Sequence, residues 1–418
     1  MSSILKYQSS YRVQYQTITT DEQLHDFCSD LRQAEVIAFD TEFVSEDSYL
    51  PELCLIQVAA GDQITLLNPL TISDINPFWE TLAEAGHVTV VHAGREELRF
   101  SLFAIDQPPH ALYDVQIAAG MIGLEYPASY GTLVHKLLSK NLAKGETRTD
   151  WRRRPLSKRQ LDYAVQDVAD LQQLAVALQA RAAELDRSSW VETEIEEWLA
   201  KLTRETGPEA WRNVSGSGSL SARNLAVVRE LWHWRDREAK RRNRPARRIL
   251  RDDLICELAR RQTADPQRIR AIRGMDRGNL QNHITDLAEA IETALQLSED
   301  QYPVLRRKAR GPHLTVLGQF LTTALGNHCK SAQIAANLVA TTQDVRDWLA
   351  YHFNRNNEQS QSPPALASGW RGNLLGTIME DLLAGKVALR VHDPTDQQPL
   401  TMVRLSDESS DPPGDRAD

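Results

Sequence analysis

The chain is short of cysteine, with only Cys28, Cys54, Cys256 and Cys329 in 418 residues. These four are scattered, in neither the close pairs of a zinc site nor a disulfide framework, so reduced thiols in a cytoplasmic protein are expected. Long apolar runs are missing as well: none approaches the roughly 18 residues that span a bilayer, and no membrane partner is expected. The first residues, MSSILKYQSSYRVQYQT, lack the basic start and apolar centre of a secretory signal. Positive charge is in deficit, 48 Lys and Arg against 57 Asp and Glu, for a net charge of −9. That balance works against a polyanionic ligand at long range, but a local basic face still binds phosphate.

What is present is ordinary for a globular protein, 41% hydrophobic and 25% charged residues over a length that predicts two or three domains. The first part alternates β-like and helical runs, the pattern of an α/β fold. Strands are expected near Val36–Phe43, Leu53–Ala59, Ile64–Leu67 and Val88–Val91, the second and third joined as a hairpin around Gly61-Asp62. A helix is expected from about Lys158, with helical continuation to about Leu202.

Acidic residues mark the candidate chemistry. In VIAFDTEF, Asp40 and Glu42 are two apart on a strand and project to one side. Two carboxylates so placed repel unless a cation lies between them, although a strand running into a polar loop also carries acids. Glu96 and Glu97 follow the strand Val88–Val91 and a turn at Ala93-Gly94, in a helical first turn where the helix dipole alone favours negative charge. Tyr163 and Asp167 are i and i+4 on the later helix, one face of it, a catalytic pair or a satisfied surface pair.

Taken in order, Asp-x-Glu on a strand, an acid five residues after His92, and Tyr-x-x-x-Asp on a late helix resemble the DEDDy 3′–5′ exonucleases. The words LCLIQVA (Leu53 to Ala59), LYDVQIAA (Leu112 to Ala119), YGTLVHKLL (Tyr130 to Leu138) and TDWRRRPLSKRQLDYAVQDV (Thr149 to Val168) narrow the resemblance to the ribonuclease D family. The resemblance implies a ribonuclease H-like mixed sheet and a site of Asp40, Glu42, Glu97 and Asp167 as metal ligands with Tyr163 beside them. It implies two divalent ions, and with no Cys/His cluster these are Mg²⁺ or Mn²⁺ rather than zinc. Trp151 and Arg154 would line the substrate channel. One residue departs from the family pattern: Glu97 stands where the family has Asp, an arm longer by roughly 1.5 Å.

The remainder reads as helical. After a Gly/Ser/Pro-rich linker, Ser221 is placed to cap a new helix. RPARRILRDDLICELAR resembles the helicase and RNase D C-terminal (HRDC) domain, and ANLVATTQDVRDWL with Gly369-Trp370-Arg371-Gly372 resembles a second, HRDC-like domain. The expected architecture is therefore an α/β exonuclease domain (1–205), a linker (206–219), an HRDC domain (220–298), a linker (299–312), a second HRDC-like domain (313–405) and a disordered acidic tail (406–418), the two later domains small and all-α. Trp232 and Trp234 are expected to pack. The loop Asn354–Ala365 is expected to be mobile. The stretch Arg235–Arg251 is dense in cations, and Arg241, Arg242, Arg244, Arg247 and Arg248 are the expected RNA contacts.

The resemblance implies a monomeric 3′–5′ exoribonuclease acting on RNA, with tRNA precursors and other structured RNAs as substrates. Two alternatives stay open: a DNA-directed exonuclease with the same acids, and an RNA-binding protein whose nuclease centre is impaired by Glu97.

Overall fold

In the computed structural model the described residues are 14–45, 47–142, 149–276, 278–305, 312–354, 363–396 and 398–405. Six strands form one mixed sheet: β1 (Tyr15–Ile18), β2 (Val36–Val44), β3 (Glu52–Ala60), β4 (Gln63–Leu67), β5 (Val88–Val91) and β6 (Leu112–Asp114), in the order β1-β4-β3-β2-β5-β6. β3 is antiparallel to both β2 and β4, whereas β1 runs parallel to β4 and β5 parallel to β2. The mixed α/β sheet and the β3–β4 hairpin expected from the sequence are both present. β1 and β6 were not foreseen, because four and three residues are too few to display a period of two.

The helices of this part of the chain are α1 (Asp21–Leu31), α2 (Asn76–Ala83), α3 (Arg95–Ile105), α4 (Val115–Met121), α5 (Tyr130–Leu138), α6 (Lys158–Ala169), α7 (Leu171–Glu184) and α8 (Ser188–Thr206). The register Phe39↔Val58 and Asp40↔Gln57 divides β2 and β3 cleanly between two faces. Ile37 and Phe39, with Ile56 and Val58, join Leu24, Phe78, Trp79 and Leu82 in one apolar core. Phe39 meets Phe78 and Trp79 edge-on, with ring centroids 5.7 and 5.9 Å apart. Asp40, Glu42 and Gln57 belong to the other face, and α6 packs on β2, β3 and β4.

By compactness the chain divides into two units, interleaved in sequence. The first holds residues 1–113, 141–173 and 195–306 and includes α9 (Ala222–Arg242), α10 (Ala246–Ile249), α11 (Asp252–Arg261), α12 (Pro266–Arg270), α13 (Gly278–Gln281) and α14 (Ile284–Leu295). Ser221 caps α9 through Asn224 N–H, and the bundle closes over Leu231, Trp234, Ile255, Leu258 and Ile291. Trp234 is buried there and Trp232 packs beside it, as expected. The stretch read as a linker is packed rather than free: it makes two short 3₁₀ turns, and Trp211 and Val214 sink into the same core.

The second unit holds residues 114–140, 174–194 and 307–418, with α15 (Pro312–Ser331), α16 (Ala336–Val339), α17 (Thr342–Asn354), α18 (Gly369–Leu375) and α19 (Ile378–Leu383). Its buried Arg187 donates to the Met121 and Gln333 carbonyls at 2.7 and 2.6 Å and also to that of Ala332. Glu194 accepts from Trp370 Nε1 at 3.1 Å and pairs with Arg371 at 2.8 Å. The all-α expectation needs correction here: β7 (Val387–Val391) and β8 (Leu400–Arg404) form an antiparallel pair, for which VALRV and LTMVR flanking a polar Asp/Pro-rich turn carried the signal. The tail 406–418 and residues 355–362 of the expected loop lie outside the described residues.

Candidate active site

The carboxylates of Asp40, Glu42 and Asp167 converge, each offering an oxygen within 4.8 Å of the others. β2 supplies the first two from one face, and α6 brings the third across it. α6 is fixed at its start by a capping box, in which Ser157 Oγ accepts from Gln160 N–H and Gln160 Oε1 accepts from Ser157 N–H. From Ser157 the 3.6-residue period carries Tyr163 and Asp167 to a common face. The loop ahead of α6 is stapled by Arg154, whose guanidinium donates to the Cys54 carbonyl and Asn68 Oδ1, both at 2.6 Å, and to the Trp151 carbonyl at 2.7 Å. Arg154 and the buried Trp151 thus hold the segment in place.

Three acids this close disfavour one another's charge. Burial is the first cause for each, and for Asp40 and Glu42 the neighbouring acids add to it. Asp40 is pushed well above the usual carboxylate range by burial and then by Asp167, against one backbone hydrogen bond from Thr41. Burial, then Asp40, Asp167 and Glu97, pushes Glu42 up to about 9. Asp167 is also raised by burial, with the Tyr163 hydroxyl donating to it and pulling the other way. Its Oδ2 is buried and has no hydrogen-bond partner among the described residues. Such a group of mutually repelling oxygens, one of them orphaned, is what a hard divalent cation relieves. The Tyr163 phenol is shifted upward by burial and by Asp167, so it remains a proton donor through the neutral range.

Glu97 is near these acids but not within the group of three. α3 starts in a tight turn, with Ala93 at φ 55° and Gly94 so close to β5 that a Cβ there would lie 2.5 Å from Val91 Cγ2. Glu97 falls in the first turn and is 6% exposed. Its Oε1 accepts from Thr41 Oγ1 at 2.7 Å. Burial and Asp40 raise its pKa, whereas the Thr41 hydroxyl lowers it. Glu96 points elsewhere and pairs with Arg99 at 2.8 Å. Thr41 is the partner the sequence did not disclose, since it sits inside the DTEF word with nothing to mark its contact.

The expected RNA contacts are exposed but unequal. Arg241 grips Glu238 through two bonds of 2.8 and 2.7 Å, Arg242 pairs with the same carboxylate and with His283, and Arg248 pairs with Asp47 at 2.7 Å. Those two arginines pull Glu238 down to about 2. Arg244 and Arg247 are exposed, and with Arg242, Arg248 and His283 the first of them lines a cleft of about 350 Å³. The basic stretch is not uniformly a surface: Arg235 is buried, donating to the Leu250 carbonyl at 3.0 Å and to Asp252 at 2.6 Å. Among the described residues no helix is long and apolar enough to cross a membrane.

Known proteins resemble this chain over nearly its whole length. The 3′–5′ exonuclease family model matches residues 15–182 and the HRDC domain model residues 224–291. Ribonuclease D of Zymomonas mobilis is 33% identical over 380 residues, which cover 90% of this chain and 95% of that protein. Ribonuclease D of Escherichia coli is 30% identical over 374 residues, covering 88% and 98%. The crystal structure of Escherichia coli RNase D, described as an exoribonuclease involved in structured RNA processing, matches with a TM-score of 0.74 at 28% identity, covering 89% of this chain and 99% of that one. With both domain models in sequence order and relatives matched over almost their full length, the chain belongs to the ribonuclease D family of 3′–5′ exonucleases.

Proposed function

We propose that this chain is a cytoplasmic, monomeric 3′–5′ exoribonuclease that trims tRNA precursors and other structured RNAs with the help of two Mg²⁺ or Mn²⁺ ions. The observation that carries the reading is the convergence of Asp40, Glu42 and Asp167 within 4.8 Å, in a chain of this family. In this reading those three acids would hold one ion, and Asp40 and Glu97 would help to hold a second. Bound divalent ions lower the pKa of water and stabilise charge that develops on a phosphodiester. The oxygen of water bonds to the last phosphorus, the P–O3′ bond breaks, and the terminal nucleotide leaves as a 5′-monophosphate. Tyr163 orients the attacking water by hydrogen bonding rather than by taking its proton, since a phenol is a poor base near neutrality. Arg241, Arg242, Arg244, Arg247 and Arg248 contact the phosphates of the bound RNA, Arg244 and Arg247 being engaged least by this chain's own acids.

A second reading keeps RNA binding and drops turnover, and one observation favours it: Glu97 is turned to Thr41 and stands outside the group of three. Digestion of labelled single-stranded RNA and DNA, with and without Mg²⁺ or Mn²⁺, separates the readings. Metal-dependent shortening of RNA from its 3′ end is expected. RNA binding without hydrolysis in either metal selects the second reading, and preferential digestion of DNA selects a DNA-directed enzyme.

A further inference from the structure

Gln57 is the one polar residue in a strand segment that is otherwise apolar from Cys54 to Ala59. Its side chain is completely buried, and neither Nε2 nor Oε1 has a hydrogen-bond partner among the described residues. Leaving both ends of a buried amide unbonded is costly, and leucine at this position would make an equally good strand. A core amide kept for packing normally bonds to its neighbours. Gln57 does not.

Its place in the sheet says what it serves. The register sets Gln57 directly opposite Asp40, and facing residues of antiparallel strands present their side chains on the same side, roughly 5 Å apart at Cβ. α6 packs on that side and carries Asp167, whose buried Oδ2 is unpartnered as well. An amide offers two donors and an acceptor, whereas an ionised carboxylate only accepts. A buried donor, a buried acceptor and a buried carboxylate oxygen therefore lie on one side of the sheet, all lacking partners. Water brought in with a hard cation answers all three.

We propose that Gln57 is a positioning residue of the carboxylate centre, its amide anchoring water that accompanies a divalent ion held by Asp40, Glu42 and Asp167. This rests on the metal-centre reading of those acids. Groups that orient a metal site from behind its ligands change metal affinity by roughly 10–100-fold when removed.

The test is calorimetric titration of the full chain with Mn²⁺, comparing the wild type with Gln57→Met and Gln57→Leu, which keep the bulk and remove the amide. The expected result is a loss of Mn²⁺ affinity of roughly 10-fold or more. The thermal midpoint of the metal-free variants should be equal to or above that of the wild type, because two unbonded polar atoms are gone. Turnover should recover at saturating Mn²⁺. Unchanged affinity in variants that fold overturns the role of Gln57. If neither apolar variant folds, Gln57→Asn, which keeps an amide one methylene short, takes their place, and unchanged affinity there overturns it equally. A wild-type chain that binds no Mn²⁺ would instead sink the metal-centre reading itself.

Discussion

Thr41 donates its hydroxyl to Glu97 at 2.7 Å, and it does so from the face of β2 opposite to Asp40 and Glu42. The longer glutamate arm therefore ends on a strand residue next to the acids rather than among them. If Glu97 still positions a second ion, it does so with irregular geometry, which Mn²⁺ accommodates better than Mg²⁺. Activity in both metals with a preference for Mn²⁺ is expected. Glu97→Asp should move that preference toward Mg²⁺, and Glu97→Ala should cost far more than Glu96→Ala. Steady-state rates for the three variants in each metal decide the matter. Equal, small losses from both alanine changes would favour the non-hydrolytic reading.

Asp40→Asn removes the acid proposed to face both ions. Turnover should drop by roughly 100-fold or more, because metal-borne stabilisation is worth several kcal/mol and about 1.4 kcal/mol is a factor of ten. RNA affinity should be largely retained. Near-normal digestion of labelled RNA by the purified variant in Mg²⁺ would remove Asp40 from the site.

Tyr163→Phe deletes the hydroxyl that donates to Asp167. Single-turnover rates should fall by ~10-fold, in line with a hydrogen bond worth about 1–2 kcal/mol, with little change in RNA affinity. An unchanged rate would leave Tyr163 as a packing residue beside Trp151, whose ring centroid is 6.1 Å from its own.

The raised carboxyls make a prediction about pH in the metal-free protein. A carboxyl whose pKa rises on folding contributes stability that is fully present below its unfolded value, roughly 4, and is lost as pH climbs through the folded value. For Glu42 that value is about 9, and burial shifts Asp40, Glu97 and Asp167 in the same direction. Thermal midpoints measured in chelator should therefore fall as pH rises from neutrality toward that of Glu42, and Mn²⁺ should offset the fall. A midpoint that instead rises with pH in chelator would contradict the crowding of these acids.

Arg244→Ala combined with Arg247→Ala tests the basic surface without dismantling α9. Binding of a long structured RNA should weaken, and the slope of log affinity against log salt should shrink by roughly 1.4–1.8. Filter binding over a salt series reads this directly, and an unaltered slope would take both arginines out of the RNA contact.

Asp40, Glu42 and Asp167 could be picked out because each lies where a simple period places it, the first two being two apart on β2 and the third four beyond Tyr163 on α6. The α/β sheet was legible for the same reason in its long strands. The Thr41–Glu97 bond joins residues 56 apart in sequence, and no local period reports such a pairing. Arg235 shows a different failure. Composition placed it with Arg244 on the surface, but it is one helical turn beyond Leu231 and shares that buried stripe. Reading α9 by phase rather than by charge would have found it. The packed segment around Trp211 misled because Gly and Ser dominate its composition while a few large side chains decide its burial.

The segment leaving β2 is held by α9: the Tyr49 hydroxyl donates to Asp236 at 2.7 Å, Tyr49 N–H donates to Asn243 Oδ1 at 3.1 Å, and the Tyr49 ring packs on the helical core. The strand that carries Asp40 and Glu42 is thereby moored to the helix whose end carries Arg241 and Arg242. If, as proposed, RNA is gripped at one and cut at the other, the molecule would act as a ruler, the distance from grip to blade being set by folded protein instead of by a slack tether. An advancing stem too wide to pass should stall at a fixed point, leaving 3′ overhangs of uniform length rather than a ragged ladder.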